Sequence, residues 1–149
     1  MKAGYEKSAI ESDFDVITYL DRLKYALESG SATINFQRDR QVDRVRDEKY
    51  TNRHTMLALF SDEDEVAVLK RELARLTIHD YIETVKDTRF PKRSDMRVFG
   101  KKYSEEDVYI KIRVELVGMM GSNYIFVMSF HFAEEAFVET DFPYRKRGE

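Results

Sequence analysis

The hydrophobic pattern of the chain changes near its middle, from the spacing of helices to the alternation of strands. Over residues 13–30, apolar side chains recur every three or four positions behind Asp13 and Asp15, which are good helix N-cap types, and Gly30 ends the pattern. Residues 51–60 and 61–76 are also helical in spacing, the latter with Ser61 or Asp62 as its cap. The first half of the chain therefore predicts three helices.

From residue 77 onward, the pattern is typical of half-buried strands. We expect an extended piece at 81–85, a short strand at 96–99 and two long strands at 107–117 and 123–132, joined by a glycine-containing turn at 117–122. Another short strand is expected at 33–36. The segment 37–53 is rich in charges of both signs and is interpreted as an exposed loop.

Helices followed by an antiparallel meander predict an α+β fold, in which N-terminal helices pack on one face of a small antiparallel sheet. A chain of 149 residues has the length of one domain, divided here into a helical half (13–76), a sheet half (81–132) and an irregular tail (133–149). No apolar run approaches the roughly 18 residues of a membrane span, and residues 1–10 lack the apolar core of a signal peptide. We therefore expect a cytoplasmic protein that does not enter the membrane.

The amino-acid composition excludes several kinds of functional site. The chain has no cysteine, which excludes disulfide scaffolds, zinc ribbons and thiol nucleophiles, and it has only three histidines. A net charge of −3 argues against a uniformly basic coat for nucleic acid. Residues 86–113 nevertheless carry nine cations against five acidic residues, so the charge is unevenly distributed along the chain.

The two long strands predict which side chains share a face of the sheet. Their even-numbered positions are all apolar or aromatic, so one buried face requires even positions to pair with even ones. The expected buried set is Val108, Ile110, Ile112, Val114 and Leu116 with Tyr124, Phe126, Met128, Phe130 and Phe132. The expected outer set is Tyr109, Lys111, Arg113 and Glu115 with Ile125, Val127, Ser129 and His131. A turn near Met120 would pair Tyr109 with His131, Lys111 with Ser129 and Arg113 with Val127.

The outer side chains include the groups that RNA backbone cleavage needs. In that reaction a 2′-hydroxyl loses a proton, the phosphate gathers negative charge and a 5′-oxygen gains a proton. His131 is the candidate for proton transfer, Tyr109 for orienting the phosphate, and Lys111 and Arg113 for binding its charge. An uncovered sheet face with cations and aromatic rings also binds single-stranded RNA without cleaving it.

Four segments occur in an order typical of one protein family. They are Leu76-Thr77-x-x-Asp80-Tyr81, Val98-Phe99-Gly100-Lys101, Val108-Tyr109-Ile110-Lys111-Ile112 and Met128-Ser129-Phe130-His131, with a proline-containing basic loop after the first. In this order they resemble the MqsR-like toxins of bacterial type II toxin–antitoxin systems, which are mRNA interferases with a RelE-like fold. The resemblance covers residues 76–134, whereas the helical half and the segment 37–53 are longer than the family pattern.

The resemblance implies a metal-independent endoribonuclease toxin that needs no cofactor, cleaves mRNA by 2′-hydroxyl attack and has an antitoxin protein as partner. It places the family's active-site tyrosine on Tyr109. A family lysine falls on His131, a second one on Glu83, and a family glutamine near Arg97. Lys86 is the residue expected to compensate for the lysine missing at Glu83.

The candidate site therefore combines residues predicted to lie on the outer face of the two long strands with residues implied by the family resemblance. The catalytic candidates are His131, Tyr109 and Lys111, and the substrate-binding candidates are Arg113, Arg97, Lys86 and Ser129. No metal site is predicted, because the pair His131 and Glu134 has metal-ligand spacing but lacks a second histidine or clustered carboxylates nearby.

Two other classes of function remain open from the residues alone. One is a non-catalytic RNA- or protein-binding module on the same sheet face, because Lys111 and Arg113 also fit ordinary solvent-facing positions. The other is a structural or antitoxin-like partner. The oligomeric state stays open as well, a homodimer included.

Overall fold

A computed structural model describes residues 4–40, 47–117 and 122–145, and among these it shows six strands and three helices. The strands are β1 (Glu6–Ala9), β2 (Ala32–Phe36), β3 (Tyr81–Asp87), β4 (Met96–Tyr103), β5 (Glu106–Val117) and β6 (Ser122–Phe132). The helices are α1 (Asp13–Ser29), α2 (Asn52–Phe60) and α3 (Glu65–Leu73), with single 3-10 turns at Glu48–Tyr50, Ile78–Asp80 and Glu139–Asp141. The α+β class is confirmed. The residues predicted to turn at 118–121 and the middle of segment 37–53 lie outside the described residues.

Helix α1 has a capping side chain at its start and a glycine in a left-handed conformation at its end. The Ser12 hydroxyl accepts a hydrogen bond from the Asp15 N–H at 3.1 Å, which makes Ser12 the N-cap. Asp13 and Asp15, expected as caps, lie instead in the first turn, where their charge complements the helix dipole. Gly30 ends the helix with a φ of 79°, a left-handed conformation that glycine adopts without strain.

Helix α3 begins at Glu65, which is later in the chain than the predicted start at residue 61. The N-cap is Asp64, whose carboxylate accepts a hydrogen bond from the Ala67 N–H at 2.9 Å. Ser61 and Asp62, the expected caps, therefore precede the helix. Several adjacent polar residues can each cap a helix, and the pattern alone did not distinguish between them.

The six strands form one mixed sheet in the order β1-β3-β4-β5-β6-β2. All neighbours pair antiparallel except β2 and β6, which run parallel, so the prediction of a purely antiparallel sheet is wrong. The parallel pair arises because the chain passes through helices and three more strands before β6 returns beside β2. Strand β1 was not predicted, since its four residues are mostly exposed and show no apolar alternation.

The pairing of β5 with β6 confirms the expected register at one end of the hairpin. Tyr109 lies opposite His131, and Lys111 lies opposite Ser129. The register then shifts, so that Ile112 faces Val127 and Met128 is an extra residue in β6. Such an insertion is a β-bulge, which moves every side chain beyond it to the opposite face.

The bulge overturns the predicted faces for the first part of β6. Tyr124, Phe126 and Met128 were expected inside and lie on the outer side, while Ile125 and Val127 were expected outside and are fully buried among core residues. Arg113 accordingly lies opposite Phe126 and not opposite Val127. The prediction that even-numbered residues face the core is therefore correct for residues 108–114 of β5 and for the end of β6, but not for residues 124–128.

Two apolar clusters lie on the two faces of the sheet. The larger one joins the helices to the sheet and includes Val16, Leu20 and Leu23 of α1, Met56 of α2, Leu69 and Leu73 of α3, and Ile110, Ile112 and Phe130 of the sheet. The smaller one consists of Val85, Met96 and Val98, with Phe126 and Met128 packed against it. It lies on the face that none of the described helices covers, which we call the open face. None of the described helices combines the length and apolar character needed to cross a bilayer.

Arg97 lies on the helix-covered face of β4. Its Nε and Nη2 atoms each donate to one carboxylate oxygen of Glu11 at 2.9 Å, and its guanidinium lies 4.3 Å from the ring centre of Tyr19. Burial by itself would raise the pKa of Glu11, but the hydrogen bonds from Arg97 and Thr84 and the charge of Arg97 outweigh it and lower that pKa. The pair fastens the segment between β1 and α1 to the sheet.

Replacing Glu11 should therefore weaken the fold in a pH-dependent way. A carboxylate whose pKa is lowered by folding stabilises the protein fully above its unfolded pKa, about 4.3, and loses this contribution as the pH falls through the lowered value. We expect Glu11→Gln to reduce the free energy of unfolding by about 1–2 kcal/mol at pH 7, measured by urea titration. The difference from the unsubstituted protein should shrink below about pH 4. Glu28→Gln, at an exposed position of α1, serves as the control, and a loss independent of pH would contradict this account.

Candidate active site

A groove of about 590 Å³ lies on the open face, over the paired ends of β5 and β6. Its floor consists of Tyr109 and Lys111 of β5 and Ser129 and His131 of β6. One wall comes from residues 133–137, which follow β6, and another from Tyr5 and Glu6 at the start of β1. Four of the seven candidate residues from the sequence thus meet in one cavity.

The rings of Tyr109 and His131 stack on each other in this groove. Their centroids are 5.5 Å apart and their planes differ by 23°. The stack follows directly from the register, because residues directly opposite on antiparallel strands have neighbouring Cβ atoms. His131 is 6% exposed, so most of the imidazole is shielded from bulk water.

One hydrogen bond determines the tautomer of the His131 imidazole. Its Nδ1 lies 2.9 Å from the carbonyl oxygen of Phe132. A carbonyl oxygen only accepts hydrogen bonds, so Nδ1 carries the hydrogen. In the neutral ring the lone pair that accepts a proton is then on Nε2. The strand that positions His131 therefore also assigns its basic nitrogen.

Lys111 is held in the groove by the carboxylate of Glu6. Its Nζ lies 3.1 Å from the Oε2 atom of Glu6, and the two side chains are 12% and 18% exposed. Glu6 begins β1, at the edge of the sheet, and its side chain reaches over the open face to Lys111. The ion pair keeps an ammonium group on the same strand face as Tyr109, two residues away.

Arg113 lies on the open face but next to the groove instead of inside it. Its guanidinium is 4.8 Å from the ring centre of Phe126, and its Nε is 3.4 Å from the Oε1 atom of Glu115. This Nε is buried and has no hydrogen-bond partner among the described residues, so the contact with Glu115 is an ion pair of poor hydrogen-bond geometry. Arg113 lines a neighbouring pocket, described below.

The structure does not bring Arg97 or Lys86 to the groove. Arg97 is paired with Glu11 on the helix-covered face. Lys86 is exposed and lies opposite Lys7 of β1, and it alternates along β3 with Val85, which belongs to the apolar cluster of the open face. The count of cations along 86–113 did not account for the alternation of side chains on a strand, which places Lys86 and Arg97 on the other face.

Helix α2 replaces a strand along the last part of β6, where β2 no longer reaches. Asn52 accepts a hydrogen bond from the Phe130 N–H at 2.9 Å and donates one to the Met128 carbonyl at 3.0 Å. The Thr55 hydroxyl accepts from the Phe132 N–H at 2.8 Å. These buried side chains fix the residues on both sides of Ser129 and His131, and so they fix the direction in which the site residues point.

The tail after β6 closes one side of the groove because β4 has a glycine beneath it. Gly100 lies opposite Tyr109, and a Cβ atom at this position would come within 2.5 Å of the Phe137 ring. The Phe137 N–H donates to the Asp107 carboxylate at 2.9 Å, which holds the tail at the end of β5. Among the described residues 133–145, the tail has a single 3-10 turn at Glu139–Asp141 and packs against the sheet.

Three residues of the site were missed by sequence reasoning. Glu6 stands in a strand with no apolar pattern, and Arg40 lines the groove from a segment that was interpreted only as an exposed loop. Asn52 directly follows the predicted helix start, where a polar residue is ordinarily explained as a cap. The sequence did contain one indication of the role of Asn52. The strand at 33–36 is too short to pair with the whole length of β6, so the last part of β6 needs hydrogen-bond partners from another segment.

Within residues 4–40, 47–117 and 122–145, no three His, Asp or Glu side chains converge as metal ligands do. The groove floor instead offers a phenol, an imidazole, an ammonium group and a hydroxyl. All four can donate hydrogen bonds, while the walls of the groove add the carboxylates of Glu6, Glu134, Glu135 and Asp141.

No family model matches this chain, and no curated protein or solved structure matches it either. The likeness to MqsR-like toxins therefore stays a prediction from the sequence, together with the RelE-like form of the fold. The functional argument below rests on the groove and its side chains.

The contacts of Asn52 predict a large loss of stability for Asn52→Ala. The change removes the partner of the buried Phe130 N–H and of the part-buried Met128 carbonyl, and each group left unsatisfied costs about 1–3 kcal/mol. We expect the free energy of unfolding to fall by about 2–4 kcal/mol in urea titrations. Arg53→Ala, at the exposed neighbouring position, should stay within about 0.5 kcal/mol of the unsubstituted protein. Equal losses in the two variants would show that β6 does not depend on this side chain.

The contact between Gly100 and Phe137 predicts a non-additive pair of substitutions. Gly100→Ala should displace the Phe137 ring, cost about 1–3 kcal/mol and speed proteolysis of the tail. In a background of Phe137→Ala the same glycine substitution should cost much less, because the clashing ring is gone. Thermal unfolding of the two single variants and the double variant measures this coupling, and additive losses would contradict it.

Proposed function

We propose that this protein cleaves single-stranded RNA in the groove, by attack of a 2′-hydroxyl on the adjacent phosphate and without a metal ion. The observation that carries the proposal is the stack of Tyr109 on His131 beside the ammonium group of Lys111. A proton acceptor, a phenol and a cation in one groove match the three needs of this reaction.

In the proposed reaction, His131 carries one proton from the nucleophile to the leaving group. Its Nε2 removes the proton of the 2′-hydroxyl while the 2′-oxygen bonds to phosphorus and the bond from phosphorus to the 5′-oxygen breaks. The imidazolium then gives that proton to the leaving 5′-oxygen, so the step consumes no net proton. The products are one fragment with a 2′,3′-cyclic phosphate and one with a 5′-hydroxyl.

Lys111, Tyr109 and Ser129 act on the phosphate in this proposal. An ammonium group has three N–H donors, so Lys111 can keep Glu6 and still donate to a phosphate oxygen. The Tyr109 hydroxyl orients the phosphate, and the Ser129 hydroxyl offers a further hydrogen bond from the groove floor. Arg113 binds the RNA beside the groove, and Arg97 and Lys86 have no part because of where they lie.

The likeness of residues 76–134 to MqsR-like toxins supports a biological setting for the proposed reaction. In that setting the protein is the toxin of a bacterial type II toxin–antitoxin system and acts on mRNA in the cytoplasm. An antitoxin protein that covers the open face would block the groove and inhibit cleavage. The antitoxin, the mRNA substrate and the location belong to the proposal.

A second candidate function is RNA binding without cleavage on the same face. The guanidinium of Arg113 over the Phe126 ring favours it, because cations and aromatic rings on a sheet face bind single-stranded RNA by charge and stacking, without a proton carrier. This function predicts binding of single-stranded RNA that weakens with salt, with no new RNA ends.

Cleavage in the presence of EDTA, followed by analysis of the fragment ends, tests the proposal. We expect 2′,3′-cyclic phosphate ends from the unsubstituted protein and a loss of activity by at least about 100-fold in His131→Ala. Tyr109→Phe, which keeps the stack and removes the hydroxyl, should lose activity by a smaller factor. His54→Ala, an exposed histidine of α2, is the matched control and should cleave normally.

Two results would contradict the proposal. Undiminished cleavage by a folded His131→Ala protein would remove the mechanism, and fragments without cyclic ends would point to a different reaction. Salt-sensitive RNA binding with no cleavage by the purified protein would favour the second candidate function.

A further inference from the structure

A second pocket, of about 160 Å³, lies on the open face beside the groove. Glu6, Lys111 and Met128 line both cavities, so the ion pair between the first two separates them. The pocket has about five times the volume that one water molecule takes in the liquid, roughly 30 Å³.

The walls of this side pocket combine charged side chains with apolar ones, two of which are aromatic. They include Phe126 and Met128 of β6, Met96 of β4, and Phe90 from the loop between β3 and β4. Phe90 is 42% exposed, which leaves part of its ring available at the mouth of the pocket. Phe126 and Met128 face the pocket because the bulge moved them out of the core.

Guanidinium groups accompany both aromatic rings of the side pocket. Arg93 lies 4.2 Å from the ring centre of Phe90, and Arg113 lies 4.8 Å from that of Phe126. Among the lining residues the cations Lys111, Arg89, Arg93 and Arg113 outnumber the acidic Glu6 and Asp87. The pocket is therefore suited to a flat ring that is joined to an anionic backbone.

We propose that the side pocket binds the base of the nucleotide adjoining the phosphate held at the Tyr109–His131 stack. Unstacked bases of single-stranded RNA stack on aromatic rings and on arginine, while their phosphates pair with cations. Tyr109, Lys111 and Arg113 occupy every second position of β5, roughly 6.8 Å apart, and lead from the stack to the pocket. This inference rests on the proposed RNA cleavage and makes the side pocket its specificity-determining site.

Oligonucleotides with one ribonucleotide in an otherwise 2′-deoxy chain test the proposal, because the single 2′-hydroxyl fixes the cleavage point. Two further substrates lack the base on either the 5′ or the 3′ side of that point. We expect the unsubstituted protein to cleave one of the two abasic substrates with a kcat/KM about tenfold lower than the intact one. In Phe90→Ala the intact substrate should itself be cleaved more slowly, and the penalty for the missing base should fall to about twofold or less.

Two controls separate binding at the pocket from general damage. Phe14→Ala removes an equally large aromatic ring, 72% exposed on α1, and should keep the full penalty. Arg93→Ala removes the guanidinium over the Phe90 ring but keeps the ring itself, and it should also reduce the penalty. Thermal unfolding of the Phe90→Ala protein should match that of the unsubstituted protein, since Phe90 is outside both buried clusters.

The outcomes distinguish this inference from the proposed function. Cleavage with no penalty for either missing base, or with a penalty that Phe90→Ala leaves unchanged, overturns the base pocket and leaves the proposed function intact. If no substrate is cleaved, the proposed function fails. The affinity of the protein for the same oligonucleotides, measured by fluorescence anisotropy, then tests whether the side pocket binds a base. Base-dependent affinity that Phe90→Ala abolishes would support it, and affinity independent of the base would overturn it.

Discussion

The hydrogen-bonding needs of one strand edge determine where the candidate site forms. Beyond the reach of β2, the outer edge of β6 would leave N–H and C=O groups buried without partners, which a folded protein rarely tolerates. Asn52 and Thr55 of α2 meet this need from the side, with contacts to Met128, Phe130 and Phe132. Because these contacts fix the backbone on both sides of Ser129 and His131, the packing of a helix determines the geometry of a groove on the opposite face.

The sequence predicted the helices, the hairpin and the Tyr109–His131 pair because each rests on an unambiguous alternation of apolar and polar residues. The faces of residues 124–128 could not be predicted in the same way, since that run is apolar on every position and fits either register. A bulge inserts one residue without leaving a mark in such a run. Arg97 was misplaced for a related reason: charge along the chain carries no information about which face of a strand a residue occupies.

The cations of the open face are held in position before any substrate arrives. Lys111 pairs with Glu6, Arg113 with Glu115, and Arg89 with Asp87. Each carboxylate restricts a long, flexible side chain and offsets part of the cost of removing its charge from water. Under the proposed function, a bound phosphodiester would share these cations with their carboxylates or take the place of the carboxylates. The strength of binding would then depend on how well the phosphate matches the positions that the carboxylates occupy.

The groove is assembled from segments that the ribosome makes far apart in time. Glu6 emerges early, whereas the wall formed by residues 133–137 follows the complete sheet and closes over Gly100 only after β6 has been synthesised. A nascent chain that has folded its helices and its first strands therefore still has an unfinished groove. Under the proposed function, this order of assembly delays cleavage until residues 133–137 have been translated, and thereby protects the transcript that encodes the groove.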